Sequence, residues 1–354
     1  MTSSSKSPRS KSALLLMALA ILLPTIMLLS IGTGPVAISP MEILLILANK
    51  VGLTSSEVAI QTQLIVESIR IPRTLLGAII GSSLAVSGAA MQGLFRNPLA
   101  DPGIIGVSSG AALGAGVGIV LGSIIFYEQT SPLLVNYGVS LLAFVGGVLT
   151  TWIVYKVGTT SNGTSVATML LAGVAIGALT GAGLGILTYI ADDTTLRSLT
   201  FWQMGSLGGA NWNSVILAFS ILGPVTFFLC RYGQVLNAML LGESEARHLG
   251  INVQSTKLKL ILVTALAVGV SVSVAGIIGF VGLVVPHLIR LMVGPDHRTL
   301  LPASAMLGAV LLLTADMISR TIVAPAELPI GIVTSLMGAP FFMSLLWQQR
   351  KRIA

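Results

Sequence analysis

Asp316 and Arg320 stand four residues apart, and the stretch 300–318 holds no charge other than Asp316. An ionisable carboxylate at membrane depth is a proton-relay candidate by default. At i and i+4 of a helix, however, the two side chains share a face and can neutralise each other. No histidine stands near them in the sequence to serve as a titrating partner. A structural pair, Asp316 with Arg320, is therefore favoured over a relay. Arg70 and Arg73 flank Pro72 at the head of a second uncharged stretch. With Arg320 they form a trio that could dock the carboxylates of an external protein, or anchor on lipid phosphates. Their place at the positive N-terminal end of the following helix is electrostatically unfavourable, so something else must justify them.

Gly242-Glu-Ser-Glu-Ala-Arg-His-Leu-Gly250 places acids first, then Arg247 and His248, then a glycine. That is the charge and cap order of a short helix. Ala246 leaves one position bare, where a partner surface could approach closely. A solvated connector explains the same residues, and charge alone does not separate the two. His248, His287 and His297 all fall on the side predicted cytoplasmic, so they offer no metal or axial-ligand site at the outer entrance. His287 is read as packing near a helix end. No Gly-x-x-x-x-Gly-Lys-Ser/Thr phosphate loop occurs, and no nucleophile stands by a base. The chain is not an enzyme by itself.

The elements that must position these residues are membrane spans. Of 354 residues, 54% are hydrophobic and 9% charged, against about 25% charged in a soluble domain. One cysteine, Cys230, excludes a disulfide framework and a cysteine-based metal cluster. Thr74 to Phe95 alone supplies 22 uncharged residues, enough to cross about 30 Å of hydrocarbon. Its many glycines, alanines and serines suit a helix packed against other helices.

Spans are expected near 13–31, 74–95, 104–126, 137–157, 166–190, 212–230, 258–274, 277–292, 300–318 and 330–347. The run 13–31 could serve as a signal peptide, but its length and the spans after it favour an uncleaved first helix. With the N-terminus inside, only Lys50, Arg70, Arg73, Arg197 and Arg320 among the basic residues lie outside, while most acids do. That asymmetry sets the orientation, and it argues against reading the net charge of +7 as a nucleic-acid signal. The uncharged interval 260–289 is too long for one helix, so a full helix and a short returning one are expected, joined within Ser271–Gly279. Pro40–Asn49 is expected as a short interfacial helix. The fold class is an all-α polytopic membrane protein of about ten transmembrane helices in two inverted five-helix halves. A single domain covers 1–354: a cytoplasmic tail (1–12), a ten-span bundle (13–347) and a second cytoplasmic tail (348–354).

Several segments together resemble one permease family, the importers of iron-siderophores, haem and vitamin B12. They are Arg70-Ile-Pro-Arg73, Ser87-Gly-Ala-Ala-Met-Gln92, Asn97-Pro-Leu-Ala-Asp-Pro-Gly103 and Gly106-Val-Ser-Ser-Gly110. Gly242-Glu-x-x-Ala-Arg-x-Leu-Gly250, Gly279-Phe-Val-Gly-Leu-Val-Val-Pro-His287 and Glu327-Leu-Pro-Ile-Gly331 follow in the expected order. The resemblance implies a type II ABC importer permease fold in the bacterial inner membrane, both termini cytoplasmic. It implies a homodimer with the path at the subunit interface, two ATPase subunits and a periplasmic or lipid-anchored substrate-binding protein. No cofactor would be bound by this chain; ATP and Mg would sit on the ATPase subunits.

By the same resemblance, Arg70, Arg73 and Arg320 dock the binding protein. Gly242, Glu243, Ala246, Arg247, Leu249 and Gly250 form the coupling helix. Met91, Asn97 and Leu99 belong to the pathway and its cytoplasmic exit. Ser165, Val166, Ala167 and Thr168 occupy a second narrowing, where the vitamin B12 branch uses small hydroxyl residues and this chain has Val166 and Ala167. Gln92 to Arg96, Leu207 to Ala210 before Trp212, and Gly294 to Arg298 look most like the haem branch. Haem is therefore the expected cargo, moved by alternating access. A ferric siderophore or vitamin B12 is the alternative, and a proton-coupled carrier using Asp316 the rival of another class.

Overall fold

Buried small residues dictate how these helices meet. In the computed structural model, which describes residues 8–36, 38–50, 52–54, 58–125, 132–160 and 163–353, α4 (Ile71–Phe95) runs through the centre of the bundle. A Cβ on its Gly81 would lie 2.4 Å from the Gly308 carbonyl oxygen, and one on Gly88 would lie 1.8 Å from that of Gly282. Backbone touches backbone at both crossings, which only glycine permits and which supplies dispersion where lipid offers no hydrophobic drive. Lys6, Glu57 and Glu128, three charges used to set orientation, and the first part of the predicted tail 1–12 lie outside the described residues.

The chain runs α1 (Pro8–Gly32), α2 (Pro40–Lys50), α3 (Ile60–Ile65), a π turn at Val66–Arg70, then α4. A 3-10 turn at Pro102–Ile105 leads to α5 (Val107–Val120), α6 (Gly122–Ile125) and α7 (Pro132–Gly158). A hairpin of β1 (Thr159–Thr160) and β2 (Gly163–Thr164) precedes α8 (Val166–Ile190), α9 (Asp193–Gln203) and α10 (Trp212–Arg231). Then come α11 (Gly233–Leu240), α12 (Glu243–His248), α13 (Val253–Ala275), α14 (Val281–Val293), α15 (His297–Ser319) and α16 (Ile330–Ile353). Among the described residues, seven helices are long and apolar enough to cross a membrane, and α5, α14 and 330–344 are shorter apolar helices.

Several boundaries differ from expectation for physical reasons. The span expected to start at Thr74 is continuous with a helix beginning at Ile60. Pro72 removes one N–H and crowds the preceding turn, and the π turn just before it, with Ile71 N–H donating to Val66, absorbs the misfit. The span expected over 104–126 is broken: α5 has 14 residues, about 21 Å of helix. α9 and α11 were not expected, because short amphipathic helices lack the length signal of a span. α1 starts at Pro8 and α16 runs to Ile353, so helix covers parts of both predicted tails.

The interval 260–289 contains the expected full and short helices, joined by a tighter turn at 276–280. Gly276 (φ 70°) and Phe280 (φ 67°) both adopt the left-handed region there. Ser206 N–H donates to the Ala275 carbonyl, satisfying backbone polar groups that the turn leaves beside neighbouring loops. The packing also reciprocates between halves: α4 lies on α14 and α15, while α13 lies on α5 and α7. α5 and α14 are both short, and each starts after a left-handed residue, Gly106 and Phe280. This correspondence is what two inverted five-helix halves require.

Candidate functional site

At one end of the bundle the three arginines are inside the protein. Arg70 is 4% exposed, Arg73 6% and Arg320 2%, so in the single chain the three guanidinium groups are taken up by the protein's own acceptors. Arg70 donates to the carbonyls of Ile31 and Gly32 at 2.8 Å each, and to that of Val36. Arg320 donates to the Thr33 carbonyl at 3.0 Å and to Ser30 Oγ at 2.8 Å. These acceptors are the unsatisfied C-terminal carbonyls of α1 and the residues around them, the negative end of that helix. Arg70, which looked misplaced at the start of α4, is thus matched to α1, as is Arg320.

Arg73 serves a different purpose. Its Nε and Nη2 donate to Asp316 Oδ1 at 3.0 and 2.9 Å, and its Nη1 and Nη2 donate to Glu327 at 2.8 and 3.0 Å. Arg320 closes the group with an Nη2–Asp316 Oδ2 distance of 3.1 Å. Asp316 is wholly buried, whereas the Glu327 side chain is 37% exposed on the loop joining α15 to α16. The i,i+4 pair of Asp316 and Arg320 is present but is only part of a four-residue network. Sequence reading missed Arg73 and Glu327 in it, since 254 residues separate them. The one available signal was an outer acid immediately before the last apolar segment.

At the opposite end, α12 forms where the charge order placed it. Its N-terminal turn carries Glu243 and Glu245 and its last turn Arg247 and His248. Ala246 is fully buried in the protein's own core, so it faces inward rather than toward a partner. Ser244, Glu245, Arg247, His248, Leu249 and Gly250 face out, and Glu243 is half-buried. Lys257, on the first turns of α13, is 3% exposed. Its Nζ lies 2.7 Å from Glu243 Oε1 and donates to the Thr164 carbonyl at 3.1 Å. A groove of about 520 Å³ beside it is lined by Gly163, Arg247 and Gly250–Gln254.

The turn after α4 is built by local caps. Arg96 takes φ 48° to end the helix, Asn97 Oδ1 accepts from Leu99 N–H at 2.9 Å, and Asp101 Oδ1 accepts from Gly103 N–H at 2.7 Å. Burial pushes the Asp101 carboxyl above the ordinary range, partly offset by that hydrogen bond. Leu99 and Pro98 face Leu283, Val284, His287 and Phe341 across a narrow cleft. Met91 is fully buried within the chain and lines no opening here. Gln92, unassigned from sequence, accepts from Arg290 Nη2 at 3.0 Å and donates to the Leu283 carbonyl at 3.3 Å, tying α4 to α14.

Ser165 caps α8 through the Thr168 N–H, and its side chain, with those of Ala167 and Thr168, is exposed; Val166 is half-buried. Farther along α8, Gly177, Gly181 and Gly185 open onto space: a Cβ added at any of the three would meet nothing within 4 Å. Leu171, Val174 and Leu179 of the same helix are exposed. Among the described residues, no group of three or more His, Cys, Asp or Glu converges to hold a metal ion.

A family model described as the FecCD transport family matches residues 20–348. The hemin transport system permease protein HmuU of Yersinia pestis is 49% identical over 285 residues, 80% of this chain and 84% of that protein. The cobalamin import system permease protein BtuC of Halobacterium salinarum is 44% identical over 290 residues, 82% and 75% of the two chains. A solved inward-facing conformation of a metal-chelate type ABC transporter superposes with TM-score 0.81 at 32% identity, over 94% of this chain and 98% of that one.

Proposed function

The chain belongs to the FecCD transport family, and from that membership we propose that it is the permease of an ATP-driven importer carrying haem across the bacterial inner membrane. Its fold is that of a type II ABC importer permease, and the family pairs such permeases with ATPase and substrate-binding subunits. The observation that carries the reading is the contrast between the two ends. One presents a short outward-facing helix braced on the bundle; the other holds a charge cluster with one half-exposed carboxylate. A motor below and a cargo carrier above fit these two surfaces.

The working unit is a homodimer with both termini cytoplasmic. The open glycine line of α8 supports this arrangement, since small residues facing lipid gain nothing, whereas facing a second copy they permit close approach. Through Ser165–Thr168 at its start, α8 and the cleft at Asn97 and Leu99 would border the path. Gly242, Glu243, Ala246, Arg247, Leu249 and Gly250 remain the ATPase coupling segment, with Ala246 seating it and the exposed residues making contact. Haem as substrate is supported by the 49% identity to the hemin permease; a siderophore or cobalamin is the alternative. ATP and Mg belong to the ATPase subunits.

Docking of the binding protein involves the arginine cluster by exchange. A partner carboxylate would take the place of Glu327 on Arg73, because Asp316 is fully enclosed and Arg70 is committed to α1. The proton-coupled rival loses support for the same reason: Asp316 is enclosed between two guanidinium groups, the setting of a structural ion pair rather than of a relay. Uptake of haem and of ferric siderophores by vesicles holding this chain with its ATPase and binding protein tests the assignment. ATP-dependent entry of haem in preference to siderophores is expected; the reverse preference refutes haem.

A further inference from the structure

Lysine is almost never fully buried unless it is paired, yet Lys257 is 3% exposed at the end of the molecule where water is plentiful. Enclosing an ammonium there needs compensation from good partners. Both partners come from other elements. Glu243, 2.7 Å away, belongs to α12; the Thr164 carbonyl, 3.1 Å away, belongs to β2. Thr164 immediately precedes Ser165, the N-cap of α8. Its side chain also donates to Gln254 Oε1 at 3.2 Å, on the first turn of α13. A single buried charge therefore joins the outward-facing surface helix to the residue just before the N-cap of the helix with the open glycine face.

We propose that Lys257 is the positioning residue through which displacement of α12 by the ATPase is transmitted to the first turn of α8. This rests on α12 being the ATPase contact, as argued above. Without the ammonium, α12 is still covalently connected to α13, but its attitude relative to the hairpin is no longer fixed by a charged bridge. Movement of α12 could then be taken up by the hairpin, and α8 would not follow. Lys257 touches neither cargo nor nucleotide.

The test uses the full complex of permease, ATPase and binding protein in proteoliposomes, measuring haem carried per ATP hydrolysed. Lys257→Met keeps the length and removes the charge; Glu243→Gln removes the other half of the bridge without touching the core. Each is expected to lower the transport-to-hydrolysis ratio about tenfold, within the range of ordinary inter-site couplings. The double variant should be no worse than either single one, as for two halves of one contact, and Lys257→Arg should recover part of the ratio. A structural role alone would lower the yield of complex without changing the ratio.

A ratio within twofold of the unmodified complex in Glu243→Gln, or additive losses in the double variant, overturns the proposal. Glu243 also belongs to the ATPase-facing segment and lies 3.8 Å from Arg247. The cycle built with Lys257→Arg therefore decides the matter should Lys257→Met fail to assemble, additive losses again overturning the proposal. Failure of the underlying reading is distinct: haem uptake by the unmodified complex would then not depend on ATP at all.

Discussion

Replacing Arg73 by Met separates a structural role at the outer cluster from a docking role. Arg73 supplies donors to two carboxylates, with distances from 2.8 to 3.2 Å. Its removal leaves Glu327 without that partner, which costs little because this side chain reaches water. Asp316 is the costly half: it has no exposure and would keep only Arg320, 3.1 Å away. Breaking a buried pair typically costs about 3–5 kcal/mol, and the surviving arginine puts this case at the lower end, about 3 kcal/mol. At the unfolding entropy of a 354-residue protein that corresponds to a fall in Tm of roughly 4 °C. Thermal unfolding of the purified permease in detergent, without binding protein, reads this directly. The double variant Arg73→Met with Asp316→Asn should recover much of the loss, because the stranded charge is gone. A Tm within about 1 °C of the unmodified chain would refute the structural account and return Arg73 to docking alone.

Glu327→Gln should tighten association with the binding protein several-fold in a titration at fixed salt, since it frees Arg73 for a partner carboxylate; weaker association would count against exchange. Gly88→Val should abolish folded permease, because even its Cβ would sit 1.8 Å from the Gly282 carbonyl oxygen. Gly223→Ala, with open space at the same atom, should stabilise α10 by up to about 1 kcal/mol. Gly181→Leu should leave the single chain folded but shift it from dimer to monomer by native mass spectrometry; a stable dimer would move the interface away from α8.

Most of the fold was legible because membrane spans announce themselves through length and absence of charge. Val166–Ile190 and the return within 260–289 follow from that signal alone. What escaped was local. The π turn before Pro72 and the break before α5 arise from backbone accommodation at particular residues, which hydropathy averages away. α9 and α11, of 11 and 8 residues, are too short to register as spans.

At the sites, near-neighbour pairings such as Asp316 with Arg320 were legible, as was the helix at Glu243–His248. Pairings across the fold were not, because α1, α4, α15 and the loop bearing Glu327 meet only after folding. Burial of Arg70, Arg73 and Arg320 could not be read from their position beside a span. For Arg70 and Arg320 it depends on the C-terminal end of α1 standing opposite them, and for Arg73 on Asp316 and Glu327 arriving from α15 and the loop after it, facts of packing. Likewise Ala246 appeared bare because its inward orientation depends on how α12 lies on α13.

The central claim is that this chain is a conduit without an energy source of its own. Purified permease in liposomes should carry no haem under a proton or sodium gradient, and addition of its ATPase, its binding protein and ATP should start uptake. Uptake by the permease alone, driven by an ion gradient, would contradict the account.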